Sequence, residues 1–270
     1  MPRDPHSPVS DRSPAPTARL VEGLRARIGA IERDGRGAWG TLPLGVAEID
    51  RRLGGGLAVG ALHEIVAVDA GAACAFAIAV AARAAGRQDG AVLWCASPHT
   101  LEAGALYGPG LRALGLDPAR LIAVSAARDE AVLWAMEEGL RCPALAAVIG
   151  EAAEAGLTAT RRLQLAAGAG GVTALLLRPA AAAGKTSAAA TRWRLAAAPG
   201  RPRGFEAALG EPGAPCWRAE LIRCRAGAPG DWVLEWCDET GDFALAAPLR
   251  DRPAGACAGG AAAGAVRAGA

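Results

Sequence analysis

Lysine is almost missing from this chain. Of 29 basic residues only one, Lys185, is a lysine. A phosphate-binding loop of the G-x-x-x-x-G-K-[ST] type needs a lysine after its second glycine, because the ammonium neutralises phosphate charge that backbone N–H groups cradle. Gly184-Lys185-Thr186 reads like the end of such a loop. The position of the first glycine, however, holds Pro179, and Ala180 to Ala183 fill the gap, so no complete motif can be written anywhere in the sequence. Cysteine is present but unpaired in pattern: there are seven, an odd number, with no C-x-x-C spacing. That excludes a disulfide framework or a zinc site and points to free thiols in a reducing cytoplasm. Cys95 with His99, and Cys216 with Cys224, are incidental or structural pairs. Long apolar runs are also lacking. The longest, Ala72 to Ala82, stops at Arg83, short of the ~18 residues that read as a membrane span. Met1 to Thr17 is rich in Pro, Ser and charge and carries no apolar core, so it is no signal peptide. A formal charge of +2 is too small to argue for nucleic acid by itself; any such binding needs a local patch.

What is present organises into three parts. Residues 1–38 read as a leader whose stretch Leu20 to Arg33 places Leu20, Val21, Leu24, Ile28 and Ile31 at helical spacing. Leu20, Leu24, Ile28 and Ile31 form an apolar stripe that packs on its own domain or on a partner. Residues 39–250 form the core domain, and the Ala/Gly-rich 251–270 a disordered tail. Within the core, apolar runs of about five residues alternate with longer helical stretches. Strands are expected at 62–68, 91–96, 121–124, 145–149 and 172–177, with helices at 72–85, 101–114, 127–141 and 158–167. This pattern predicts an α/β fold with a mostly parallel sheet covered on both faces. After Pro179 the pattern changes to strands at 191–196, 216–225 and 231–237, an antiparallel addition to the end of the sheet.

Several segments then carry a resemblance in their order and spacing: Leu42-Pro-Leu-Gly-Val-Ala-Glu-Ile-Asp50, Leu53-Gly-Gly-Gly-Leu57, Gly60-Ala-Leu-His-Glu-Ile65, the Trp94 strand, Gly115 to Ile122 and Thr191-Arg-Trp-Arg-Leu195. Over about residues 40–240 the chain resembles the RecA recombinase fold and, within it, the ImuA-type proteins of bacterial inducible mutagenesis cassettes. Against that fold's nucleotide site the sequence departs in three places. The loop after the first core strand is Asp69-Ala-Gly-Ala-Ala-Cys-Ala75, with no lysine and no hydroxyl for magnesium. The segment after the Trp94 strand, Ala96-Ser-Pro-His99, has no glutamate. The strand 145–149 is followed by Gly150 and Glu151, which puts the acid one residue late and its side chain elsewhere. The resemblance therefore implies a pseudo-ATPase: no catalysis, no cofactor and no metal. It further implies a cytoplasmic, non-catalytic scaffold of the SOS response to DNA damage. The partners would be an ImuB-type, Y-family-like protein and an error-prone DNA polymerase subunit, with a RecA filament and single-stranded DNA as further candidate contacts and no membrane. Two alternatives stay open at this point: a DNA-dependent ATPase with an unorthodox site around Lys185, and a cell-division inhibitor of the SulA type.

The nucleic-acid candidates are Lys185, Arg192, Arg194, Arg223 and Arg225. Arginine forks can grip phosphates, and Trp193 could stack a base. In a strand, Trp193 faces away from Arg192 and Arg194, which favours a core tryptophan between two exposed arginines. Arg218 could extend the patch, although Glu220 sits among these residues. His63-Glu64 is a catalytic pair in appearance only, since neighbours in a strand face opposite ways; Glu64 reads as structural. Trp232 and Trp236 share a face with Leu234 and read as core or as a cover for the sheet end.

Overall fold

The computed structural model describes residues 39–98, 106–200, 202, 213–225, 227–238 and 240–246. The leader stripe, the tail and residues 101–105 of the expected 101–114 helix lie outside them. Among these described residues eleven strands and five α-helices follow in chain order: β1 (Thr41–Leu42), α1 (Ala47–Leu53), β2 (Leu57–Ala58), β3 (Leu62–Ala67), α2 (Ala70–Gln88), β4 (Ala91–Ala96), α3 (Gly108–Ala113), β5 (Leu121–Ser125), α4 (Asp129–Leu140), β6 (Leu145–Glu151), α5 (Leu157–Gly170), β7 (Thr173–Pro179), β8 (Thr191–Ala198), β9 (Cys216–Cys224), β10 (Gly230–Cys237) and β11 (Asp242–Leu245). Nine of the strands form one sheet in the order β11-β10-β9-β8-β3-β7-β6-β4-β5. From β8 to β5 all neighbours run parallel; β9, β10 and β11 alternate in direction. The fold is thus α/β with a mostly parallel sheet and antiparallel strands at its C-terminal end.

Both faces of the parallel part are covered, which is why its strands read as unbroken apolar runs. On one face lies α2, against Ile65, Trp94, Ile149, Leu177 and Trp193. Asp69 caps this helix by accepting from the Ala72 N–H at 2.8 Å. At 19 residues α2 is long and apolar enough, by length and composition alone, to cross a membrane, longer than the run of 72–82 suggested. Most of its residues are nevertheless buried against the sheet, as in a core helix. The other face carries α4 and α5, packed on Leu62, Leu93, Val148 and Leu176. Close contact there requires Gly150: a Cβ at this position would stand 2.1 Å from the Met136 sulfur of α4.

The antiparallel extension carries an aromatic cluster. Phe76, Trp193, Trp217, Trp232, Trp236 and Phe243 are buried, and the ring centroids of neighbouring pairs lie 5.2–6.2 Å apart. Trp193, Trp232 and Trp236 are therefore core residues. The turn Gly54-Gly55-Gly56 leads into β2 with three successive positive φ values, and a side chain on Gly56 would collide with the Leu42 carbonyl.

Candidate functional site

The parallel strands bring their C-terminal ends to one edge, where α/β sheets characteristically bind ligands. There a cleft of about 380 Å³ opens between the N-terminus of α2, the end of β6 and the end of β7. Its α2 wall is made of Ala70, Ala73 and Cys74. Ser97, Asp129, Glu151 and Arg178 line it as well. The strand β6 runs two residues further than expected, so Glu151 shares a side with Ile149 and faces α2 rather than pointing elsewhere. Its Oε1 accepts from the Trp94 indole at 2.7 Å, while desolvation raises its pKa against the lowering effect of that bond. Burial, assisted by the Glu151 charge, pushes the Cys74 thiol up to about 12, and burial likewise holds Cys95 at about 12. Neither is a thiolate at neutral pH, which removes both as nucleophiles. Among the described residues no group of three His, Cys, Asp or Glu side chains is placed to hold a metal.

Beside the cleft lies a buried ionic hub. Glu64, inaccessible to solvent on β3, faces two guanidiniums: Arg192 from β8 at 2.9 Å and Arg178 from β7 at 3.3 Å. Each arginine also donates to the carbonyls of a loop. Arg178 donates to the Ala153 carbonyl at 3.0 Å; Arg192 donates to Ala183 at 2.9 Å and Lys185 at 2.7 Å. The hub thereby fastens the segments after β6 and β7 to the sheet. An outer contact joins the same two segments, the Lys185 ammonium reaching both oxygens of Glu154 at 2.7 Å. That contact holds the exposed Glu154 carboxyl below the usual carboxylate range.

Four of the five residues singled out for nucleic acid, Lys185, Arg192, Arg223 and Arg225, therefore gather around one loop, 183–188, largely as its scaffold. Arg223 donates to the Ser187 carbonyl at 2.8 Å and Arg225 to that of Ala188. Arg194 pairs with Glu220 at 2.6 Å across the strands. Arg192 is a correction: expected to be exposed, it is buried, because the Glu64 carboxylate and the carbonyls of Ala183 and Lys185 take its guanidinium on the face opposite Trp193. Lys185 is followed by β8, not by a helix whose N-terminus could hold phosphate. His63 is buried with Nδ1 at 2.7 Å from Thr191 Oγ1 and Nε2 at 2.9 Å from the Ala58 carbonyl; desolvation lowers its pKa to about 4. Sequence reasoning missed Arg178 altogether. A lone arginine ending the apolar run Thr173 to Leu177 was the available signal.

No protein-family model matches this sequence. Two curated relatives do, the Protein ImuA of Caulobacter vibrioides strain NA1000 / CB15N and that of strain ATCC 19089 / CIP 103742 / CB 15. Each is 39% identical over 226 residues, covering 77% of this chain and 88% of the relative. The chain belongs to the ImuA family. Membership supports a role in SOS-associated mutagenesis.

Proposed function

We propose that this ImuA-family chain is a non-catalytic accessory protein of error-prone translesion DNA synthesis, acting beside an ImuB-type partner and an error-prone polymerase subunit. The observation that carries this reading is the composition of the helix start at the cleft. Where a nucleotide-hydrolysing site needs a cation and a hydroxyl at the start of its helix, α2 offers Ala70, Gly71, Ala72, Ala73 and Cys74. The one lysine is held by Glu154 on the neighbouring loop. Such a surface orders loops and positions partners; it makes and breaks no bond. The stripe Leu20, Leu24, Ile28 and Ile31 and the loop 183–188 with its basic surround are the two segments offered for partner and single-stranded DNA contacts. A DNA-dependent ATPase built on Lys185 and a SulA-like inhibitor have no observation in their favour.

The test is complementation. In a host lacking its own copy, full-length chains carrying Lys185→Ala or Glu151→Ala should restore damage-induced mutagenesis to the wild-type level and co-purify with the ImuB-type protein. Loss of mutagenesis in both variants while the proteins still fold and bind that partner would require a catalytic role instead.

A further inference from the structure

The outer surface of the α4–α5 layer exposes large apolar side chains among its charged ones. Trp134 on α4 is 62% exposed and Leu165 on α5 is 67% exposed. Trp134 stands on the rim of a groove between the two helices, whose floor includes Leu133, Ala159 and Leu163. An exposed tryptophan beside an apolar groove marks a docking surface rather than an ordinary solvent face.

The path of the chain identifies the occupant. The described structure begins at Trp39, whose indole donates to the Gly168 carbonyl at 2.9 Å, in the last turn of α5. Side chains on Gly60 or Gly171 would collide with this ring, so both glycines leave room for it. The described chain thus begins beside the last turn of α5, where Gly168 follows Leu165 by three residues. Residues 34–38 can span at most ~17 Å, so whatever precedes them starts close to this surface. What precedes them is the stretch 20–33 with its stripe Leu20, Leu24, Ile28 and Ile31. As a helix its 14 residues would measure ~21 Å, the same as the 14 residues of α5.

The groove's own charges are already paired, Glu137 with Arg162 of α5 at 2.6 Å and with Arg141, and Glu138 with Arg141 at 2.6 Å. The apolar contact and the path of the chain therefore carry the docking. We infer that residues 20–33 dock in cis, as a helix laid across α5 with its apolar stripe on Leu165 and Trp134. Partner access to that stripe is then conditional on its release from the α4–α5 groove.

The full chain tests this. A photoreactive benzoylphenylalanine at position 134 is irradiated in a mixture of ¹⁵N-labelled and unlabelled chains, and the cross-linked peptides are read by mass spectrometry. Docking in cis predicts links from position 134 to residues 20–33 carrying a single isotope label, lost in the L24D/I28D double variant. Hydrogen exchange of the otherwise wild-type chain gives a second readout. The L24D/I28D variant should exchange several-fold faster at 129–140 and 157–166 and unchanged at β3 and β7. Links of mixed label would assign the groove to a second copy. No link to 20–33, with unchanged exchange in α4 and α5, would leave the groove to another protein. Either result overturns the inference.

Discussion

At position 64 one carboxylate meets two guanidiniums away from water, and its fate separates inner from outer contacts at this site. Removing one member of a buried ionic group leaves the others uncompensated, which costs about 3–5 kcal/mol. Glu64→Gln should lower the unfolding free energy by about that much in a urea titration. Lys185→Ala, which cuts only the solvent-exposed pair with Glu154, should leave it nearly unchanged, because water screens such a pair. Equal losses would contradict the division into hub and outer contact. His63 gives a pH signature. Its folded pKa, about 4, lies below the unfolded value of 6.5, so between these pH values the unfolded chain binds the extra proton. Stability from this residue is complete above pH 6.5 and is lost as pH falls toward 4, at up to about 1.4 kcal/mol per unit. His63→Gln should flatten the stability–pH curve over that window; an unchanged slope would assign the acid sensitivity elsewhere.

At the scale of elements, the strands were legible because they are buried on both faces, and an apolar run bounded by turns leaves little room for another reading. Ala91 to Ala96 matches β4 residue for residue, and most other predicted strand ends lie within two residues of those observed. The pieces that escaped are short and held by tertiary contact. The two-residue strands β1 and β2 pair only with each other, α1 has seven residues, and β11 depends on β10 for its register. Side-chain direction on β8 was legible, but burial was not. Trp193 fell inside as alternation requires, whereas a carboxylate 128 residues away in sequence buried Arg192 on the opposite face, and two further residues of β6 turned Glu151 toward α2. The Glu64 partner is not local in sequence, so no window around Arg192 reveals it. The seam between β6 and α4 supplies a prediction of its own. Gly150→Ala overpacks Met136 and should destabilise by about 1–3 kcal/mol, and adding Met136→Ala should recover part of the loss caused by the clash. A Gly150→Ala chain as stable as wild type would show that the seam can open at no cost.

At the scale of the whole molecule, a sheet edge built for ligands is present without the chemistry that usually fills it. The strand ends, the cleft and the leading helix α2 have the right arrangement, yet the α2 wall is alanine and cysteine, and Arg178, which lines the cleft, is committed to Glu64 and to the Ala153 carbonyl. The molecule is accordingly read as a positioning surface, with loops fastened from within and apolar contacts offered outside. The most direct measurement is ATP binding and turnover by the purified full-length chain, with and without single-stranded DNA. The account predicts no turnover above a buffer control in either condition. DNA-stimulated hydrolysis abolished by Lys185→Ala in a folded protein would contradict it and place the lysine at an active site.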